Sequence, residues 1–267
     1  MISDHSICLM YHCLYEGEGE YLELHPDDRP YSLSTHQFQQ QLQLLADRGI
    51  PVLSARKTEG NPRQSLHQRH AVVLTFDDGH QSFHRHALPI LAEHGLTAFM
   101  FLSTDKIGID KHFLNWGEVK ELHDAGHVIG GHGASHRFLD ELDQDEARRE
   151  LQVSREQIES CTGTPCTTMS FPGGRYNAAV LSLAQDLGYR SLFTSEVRAP
   201  LFDRSPLLIG RYAIRHNMSL SEFTAMVTGD RRYAARKRSL QLAKKGLQKL
   251  LGNERYHRLY QKLAARR

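Results

Sequence analysis

The stretch Ala71-Val72-Val73-Leu74-Thr75-Phe76-Asp77-Asp78-Gly79-His80 carries the strongest structural signal in this chain of 267 residues. Its first part, residues 71–76, is a nearly unbroken apolar run, as expected for a β-strand that is buried on both faces. Two adjacent carboxylates and a glycine follow directly. A strand of this kind is typical of a parallel sheet covered by helices, and this one ends in a polar cluster.

The same alternation of apolar runs and helical patterns extends through most of the chain. Further strands are predicted at residues 7–12, 97–102, 127–131, 167–171, 191–194 and 207–212. Helices are predicted from residue 35 to the Gly49 stop and at 82–94, 116–125, 143–161 and 177–187. Strands that alternate with helices indicate βαβ units. We therefore predict an α/β fold with a barrel, of the TIM type or distorted, and keep a doubly wound open sheet as the alternative.

Composition places the chain among folded proteins, with 40% apolar and 24% charged residues. It contains no run of eighteen apolar residues, so we predict no transmembrane helix. The first twelve residues lack a basic segment followed by an apolar one, which predicts no secretory signal and a cytoplasmic location. The four cysteines are expected to be unpaired thiols.

Charge is distributed unevenly along the chain. Residues 231–267 hold 13 Lys or Arg against the single acidic residue Glu254, a net charge of +12, which leaves −10 on the remaining 230 residues. We predict a catalytic domain at 1–230 and a basic helical extension at 231–267. This extension either packs as a solvated helix on the acidic body or binds an anionic membrane surface. No motif for reading nucleic acid accompanies it, so no nucleic-acid partner is expected.

Three polar clusters follow predicted strands, at residues 75–80, 132–136 and 170–175. In parallel α/β folds the functional groups gather at the carboxyl ends of the strands. We therefore expect the three clusters to meet at one end of the barrel.

The first two clusters contain the residue types of a catalytic metal site. Alone, the aspartate pair could be a helix cap, and two histidines four residues apart could be a surface coincidence. Together, Asp78, His132 and His136 supply three N/O ligands and leave one zinc position open, as in catalytic rather than structural sites. Asp77 is then placed to act as a general base.

These segments resemble the polysaccharide deacetylases with a NodB-like domain, carbohydrate esterase family 4. Residues 75–79 match the first motif of that family, and 126–132, together with His136, are similar to the second. The resemblance covers about residues 9–216. It implies a distorted (β/α) barrel of about seven strands, with Asp77 as the base and Asp78, His132 and His136 as metal ligands.

The resemblance is strongest to the exopolysaccharide branch of the family, through residues 9–12 and the helical pattern of 34–49. It implies that His12 is the general acid that protonates the leaving amine, with a core histidine as the alternative. Trp116, in a segment that is also similar to this branch, is expected to line the sugar groove or to pack in the core.

The chain also departs from the family pattern. Gly133 stands where a Ser or Thr is usual, which removes a hydrogen bond next to a metal ligand. Gly173 stands where a Tyr is usual, although its N–H remains available to stabilise an oxyanion. Arg211 and Arg175, near strand ends, are expected to orient Asp77, to bind substrate or to form surface salt bridges.

The resemblance therefore implies an enzyme that hydrolyses an N-acyl group, most simply N-acetyl, from an amino-sugar-containing saccharide. A divalent metal is implied, with zinc first and cobalt, nickel or manganese as alternatives. Two other interpretations remain open, a deacylase of a formylated or lipid-linked sugar and a degenerate member that binds glycan or metal without turnover.

Overall fold

A computed structural model describes residues 5–68, 70–197 and 206–251. Its strands, in chain order, are β1 (Ile7–Tyr11), β2 (Leu14–Tyr15), β3 (Leu33–Ser34), β4 (Val72–Phe76), β5 (Phe99–Leu102), β6 (Val128–Gly131), β7 (Thr168–Ser170), β8 (Ser191–Phe193), β9 (Leu207–Ile209) and β10 (Tyr212–Ala213). Eight of them form one parallel sheet in the order β10-β1-β4-β5-β6-β7-β8-β9, and β2 and β3 form a separate pair.

The two ends of the large sheet are neighbours in the chain. β9 pairs with β8 at one end, and β10 pairs with β1 at the other. Only Gly210 and Arg211 separate β9 from β10, so the sheet must curl until its ends meet. The predicted distorted α/β barrel is thereby confirmed. The single strand predicted at 207–212 is instead broken at Gly210 and Arg211, because its two parts pair with opposite ends of the sheet.

Helices cover the outside of the sheet. They are α1 (Gly17–Glu23), α2 (Thr35–Asp47), α3 (Ala55–Gly60), α4 (Pro62–Leu66), α5 (Leu88–Glu93), α6 (Trp116–Asp124), α7 (Gln144–Thr162), α8 (Ala178–Asp186), α9 (Leu220–Val227) and α10 (Arg231–Leu251). The helix predicted at 82–94 begins instead as a wide π-type turn, Phe83–Ala87, before α5. Pro89 has no N–H with which to continue regular helical bonding backwards, which favours the wider turn.

Alternate residues of β4 enter two separate cores. Val72, Leu74 and Phe76 pack between the sheet and the helices, whereas Val73 packs inside the barrel with Phe101 and other strand residues. Because side chains alternate along a strand, the inward series that contains Val73 continues through Thr75 to residue 77. The strand thus delivers Asp77 to the inner end of the barrel.

The C-terminal helix α10 packs on the closing seam of the barrel. Its Tyr233 is buried and stacks on Tyr212, with ring centroids 6.5 Å apart. Gln241 accepts a hydrogen bond from the Val197 N–H and donates one to the Ser195 carbonyl. The predicted basic extension is helical as far as Leu251, and residues 252–267 lie outside the described part of the chain. The predicted domain boundary at 230 stays a prediction.

None of the helices in the described ranges combines the length and the apolar character needed to span a bilayer. The four cysteines, all within these ranges, are free thiols.

Candidate active site

Asp77 lies at the carboxyl end of β4 and is held by a buried arginine. The Arg211 guanidinium donates to both carboxylate oxygens, with Nη1–Oδ1 and Nη2–Oδ2 distances of 2.7 Å each. Arg211 is fully buried, and its guanidinium also donates to the Thr75 hydroxyl, the Thr194 carbonyl and the Ser170 hydroxyl. A planar fork on both oxygens fixes the orientation of a carboxylate. Of the roles expected for Arg211, this geometry supports the orientation of Asp77.

The electrostatics of Asp77 follow from this pairing. Burial by itself raises the pKa of a carboxyl group, but the charges of Arg211 and His132 outweigh it and lower the pKa of Asp77. The Ser170 hydroxyl donates a third bond, to Oδ2 at 3.0 Å. A carboxylate offers about four lone-pair positions, so one position on Oδ1 stays open to accept a proton.

Asp78, His132 and His136 come together beside this pair. The Nε2 atoms of His132 and His136 each lie 3.3 Å from Asp78 Oδ1, and one donor atom from each residue lies within 4.8 Å of the others. His132 Nε2 also lies 4.0 Å from Asp77 Oδ2. The first two polar clusters of the sequence therefore do meet at one end of the barrel.

The hydrogen bonds of this cluster are those of a cation site. His132 Nδ1 lies 2.8 Å from the Ser170 carbonyl oxygen, which can only accept a hydrogen bond, so Nδ1 carries a proton. In neutral His132 the other ring nitrogen, Nε2, then has a lone pair, which points at Asp78. Asp78 Oδ1 is buried and has no hydrogen-bond partner in the described part of the chain. Lone pairs facing each other across 3.3 Å require a proton or a metal ion between them. The donor set of two imidazoles and one carboxylate fits a divalent metal.

The same cluster shapes the pKa values of its members. Burial lowers the pKa of His132, but the charges of Asp77 and Asp78 outweigh it and raise that pKa. Burial likewise disfavours ionised Asp78, yet the two imidazoles that face it at 3.3 Å keep the pKa of Asp78 well below its usual range. Both shifts favour the charged form of the side chain, because each group lies against groups of opposite charge.

Two of the three ligand candidates have strained backbones. Asp78 has φ of +78° and His136 has φ of +64°, in the left-handed region that residues other than glycine rarely occupy. Such conformations cost about 1–3 kcal/mol each and persist where the surroundings enforce them. In both turns the surrounding structure therefore holds the backbone in a conformation that is locally unfavourable.

The surroundings and backbone of Gly133 and Gly173 disfavour larger residues at both positions. A Cβ on Gly133, where φ is +75°, would lie 3.1 Å from Glu150 Oε2. A Cβ on Gly173, where φ is +62°, would lie only 2.7 Å from the Phe138 ring. Neighbouring side chains thus occupy the space that larger residues would take. Pro172 lies 3.6 Å from the same Cβ position on Gly133, so the turn that carries Gly173 borders the candidate metal site.

His12 follows β1, the strand next to β4. The register pairs Tyr11 with Phe76, and the Asp77 N–H donates to the Tyr11 carbonyl at 3.0 Å, so His12 comes level with Asp77. Its ring packs on Tyr31 at a centroid distance of 4.8 Å, and its buried Nδ1 has no partner within the described residues. Burial lowers the pKa of His12, although the charges of Asp78 and Asp77 oppose this shift.

Trp116 and Arg175 contact residues outside the cluster. Trp116 packs against the main core, and its carbonyl accepts a hydrogen bond from the Cys161 thiol, so its place in a sugar groove stays a prediction. Arg175 forms ion pairs with Asp140 and Glu141 and lies over the Phe138 ring. These contacts correspond to the salt-bridge alternative for Arg175.

Two residues that hold the site, Ser170 and Glu150, were not predicted from the sequence. Ser170 links Asp77, Arg211 and His132 through its hydroxyl and its carbonyl. Glu150, on α7, is only 7% exposed and accepts hydrogen bonds from Ser135 in the loop between the two histidines. A charged residue on the buried face that also carries Ala147, Leu151, Ser154 and Ile158 was the signal that could have found Glu150.

Comparison with known proteins gives a consistent result. Residues 65–192 match the family model described as polysaccharide deacetylase. The chain is 27% identical over 220 residues to the Bacillus subtilis protein named "Putative polysaccharide deacetylase YxkH", a match that covers 82% of this chain and 75% of that protein. It is 29% identical over 126 residues to the peptidoglycan-N-acetylmuramic acid deacetylase PdaA of Bacillus subtilis, covering 46% of each chain.

Solved structures share the fold. The Streptococcus pyogenes deacetylase PplD, in complex with acetate, superposes with a TM-score of 0.72 at 24% identity, covering 85% of this chain and 99% of PplD. IcaB from Ammonifex degensii gives a TM-score of 0.70 at 19% identity, covering 87% of this chain and 98% of IcaB.

Proposed function

We propose that this chain is an amide hydrolase that removes N-acetyl groups from an amino-sugar-containing saccharide with the help of a divalent metal. Its similarity to the polysaccharide deacetylase family model over residues 65–192, and to a protein of that name over 82% of this chain, supports the proposal. One observation carries this proposal. The donor cluster of Asp78, His132 and His136 lies next to a carboxylate, Asp77, that a buried arginine holds in one orientation.

Asp78, His132 and His136 would hold the metal. Zinc ligands 2.0–2.1 Å from the ion at tetrahedral angles lie about 3.3 Å from one another, which is the spacing between Asp78 Oδ1 and each histidine Nε2. Zinc is therefore our first choice, with cobalt, nickel and manganese as alternatives. A bound divalent ion supplies Lewis-acid polarisation of an amide carbonyl and lowers the pKa of water.

The chain supplies the other groups that amide hydrolysis needs. Asp77 accepts the proton of the attacking water at the open position on Oδ1, while Arg211 keeps the carboxylate ionised and oriented. The Gly173 N–H donates to the developing oxyanion. His12 protonates the amine as it leaves.

An activity screen with metal supplementation tests the proposal. The purified protein is loaded with zinc, assayed for acetate release from N-acetylglucosamine oligomers, and assayed again after chelation and after zinc is restored. We expect activity that disappears with the metal and returns with it. Formylated and lipid-linked acetylated sugars form parallel arms of the screen. Stoichiometric zinc binding without release of any acyl group would favour the non-catalytic interpretation and would contradict the proposal.

The role of His12 gives a prediction in pH. If His12 donates a proton to the leaving amine, His12→Gln should bind metal normally and lose about 10²–10⁴ in kcat. Because burial lowers the pKa of His12, its proton is lost below the ordinary histidine range. The wild-type kcat/KM should therefore fall as pH rises through that lowered value, and the variant should lack this alkaline limb. A variant with the wild-type pH profile would return His12 to a packing role.

The basic helix α10 supports a second, independent proposal, binding to an anionic membrane surface. Its sequence holds eight Lys or Arg and no acidic residue, and Arg231, Arg238 and Leu242 are exposed. Each basic side chain near anionic lipid contributes about 1 kcal/mol. This surface would bring a cytoplasmic enzyme to a lipid-linked saccharide. The cytoplasmic location and the lipid-linked substrate both stay predictions.

Vesicle co-sedimentation measures this attraction. We expect the full chain to bind phosphatidylserine vesicles at low salt and to dissociate at high salt. Replacing Arg231 and Arg238 together with Gln should weaken binding by roughly 30-fold, since two contributions are lost. The matched control replaces Arg48 and Arg149, two other exposed arginines, with Gln and should bind like the wild type. Equal binding by both double variants would assign the attraction to net charge alone and would contradict a specific α10 surface.

A further inference from the structure

Glu150 is a buried carboxylate that faces the loop between the two candidate histidine ligands. It belongs to α7, and its side chain points inward with the apolar residues of that helix, 7% exposed. Its Oε2 accepts the Ser135 N–H at 2.9 Å, and its Oε1 accepts the Ser135 hydroxyl in a short hydrogen bond. Hydrogen bonds to an ionised acceptor are about twice as strong as neutral ones. A carboxylate buried at this position is therefore strongly tied to the loop.

The loop is held on two sides, and Glu150 holds the side nearer His136. The Gly133 and Ala134 carbonyls accept hydrogen bonds from the N–H groups of Thr104 and Asp105, at 3.3 Å and 2.9 Å. These bonds fix the start of the loop, just after His132. Ser135, the residue before His136, is bound by Glu150.

His136 needs such a restraint because its backbone is strained. Its φ of +64° costs about 1–3 kcal/mol, and the loop would relax if nothing enforced that conformation. The carboxylate of Glu150 also fills the space beside Gly133, so that a Cβ on Gly133 would come within 3.1 Å of Oε2. One side chain thus both packs under the loop and bonds to its backbone.

We propose that Glu150 is a positioning residue that holds Ser135 and thereby keeps His136 aligned with Asp78 for metal binding. The proposal rests on the metal site of the proposed function. Glu150 does not touch the substrate or the ion, and it acts through the loop. Residues that orient metal ligands typically change metal affinity by about 10–100-fold when they are removed.

The experiment uses full-length variants with two readouts. Glu150→Ala removes both acceptors, whereas Glu150→Gln keeps one acceptor oxygen and the shape of the side chain. Glu156→Ala, on the exposed side of the same helix, is the matched control. Hydrogen exchange of the Ser135 amide is measured on the metal-free proteins, and zinc affinity is measured by competition with a chromophoric chelator.

We expect Glu150→Ala to speed exchange of the Ser135 amide by at least about tenfold and to weaken zinc binding by about 10–100-fold. Glu150→Gln should restore most of both properties, and Glu156→Ala should match the wild type. Ser135→Ala serves as a second, milder variant should Glu150→Ala fail to fold. It removes one of the two bonds, so it should weaken zinc binding, though by less than Glu150→Ala does.

Wild-type exchange and zinc affinity in Glu150→Ala would overturn the proposal. So would a loss of zinc affinity without faster exchange at Ser135, since the residue would then act by charge and not by holding the loop. A wild-type protein that binds no zinc would instead refute the metal site of the proposed function. In that case the exchange readout still decides whether Glu150 holds the loop.

Discussion

Asp77→Asn should retain about one metal ion per chain and lose amide hydrolysis by a factor of about 10²–10⁴, because the amide oxygen cannot accept the proton of the attacking water. Asp78→Asn should lose both metal and activity, since a neutral amide is a weaker ligand for a divalent cation. Metal content by atomic emission and acetate release, measured on the same samples, separate the two aspartates. Equal metal loss in the two variants would contradict the division of roles between Asp77 and Asp78.

The structure adds a control to this comparison. Asn at position 77 leaves the buried Arg211 without a compensating charge, so part of any activity loss could come from a disturbed barrel end. Ser170→Ala removes one hydrogen bond from Asp77 but leaves the charge pair intact. It should keep its metal and much of its activity. A loss in Ser170→Ala as large as that in Asp77→Asn would show that the arrangement, and not the base, limits the rate.

Arg211→Met should destabilise the protein by about 3–5 kcal/mol, since it leaves a buried carboxylate without its partner. The double variant Asp77→Asn, Arg211→Met should recover much of that stability but no activity, because neither charge is then buried alone. Urea unfolding of the wild type and three variants measures the free energy of unfolding. A loss below about 1 kcal/mol in Arg211→Met would contradict the buried-pair interpretation.

The contribution of the Asp77–Arg211 pair to the free energy of unfolding should depend on pH. Arg211 and His132 depress the folded-state pKa of Asp77 below its value in the unfolded chain. Its contribution to stability is therefore complete above the ordinary aspartate pKa and is lost only as pH falls through the depressed value. The free energy of unfolding of the wild type, measured relative to the double variant, should accordingly be constant near neutral pH and should fall in strong acid.

Most of the helices and strands could be predicted from the sequence because the signals involved are local. An apolar run such as Val72–Phe76 can satisfy its hydrogen bonds and bury both faces only as an inner parallel strand. The helix predicted from residue 35 is present as α2, which buries Phe38, Leu42 and Leu45 at helical spacing. The π-type turn before α5 was missed, since it depends on how one proline shifts the bonding of a whole helical turn.

The sequence by itself determined that the chain is an α/β protein whose strands end in Asp77, Asp78 and His132. Both the spacing of apolar residues and the polar residues that follow a strand can be recognised from neighbouring positions in the chain. Only the tertiary structure decided between a barrel and an open sheet, through the opposite pairing of β9 and β10. It also decided which of several charged residues serve the site. Arg211 is 134 positions from Asp77, and Glu150 is 15 from Ser135. Strand register and helix packing bring such distant residues together. Neither produces a repeating pattern in the sequence that separates the partners.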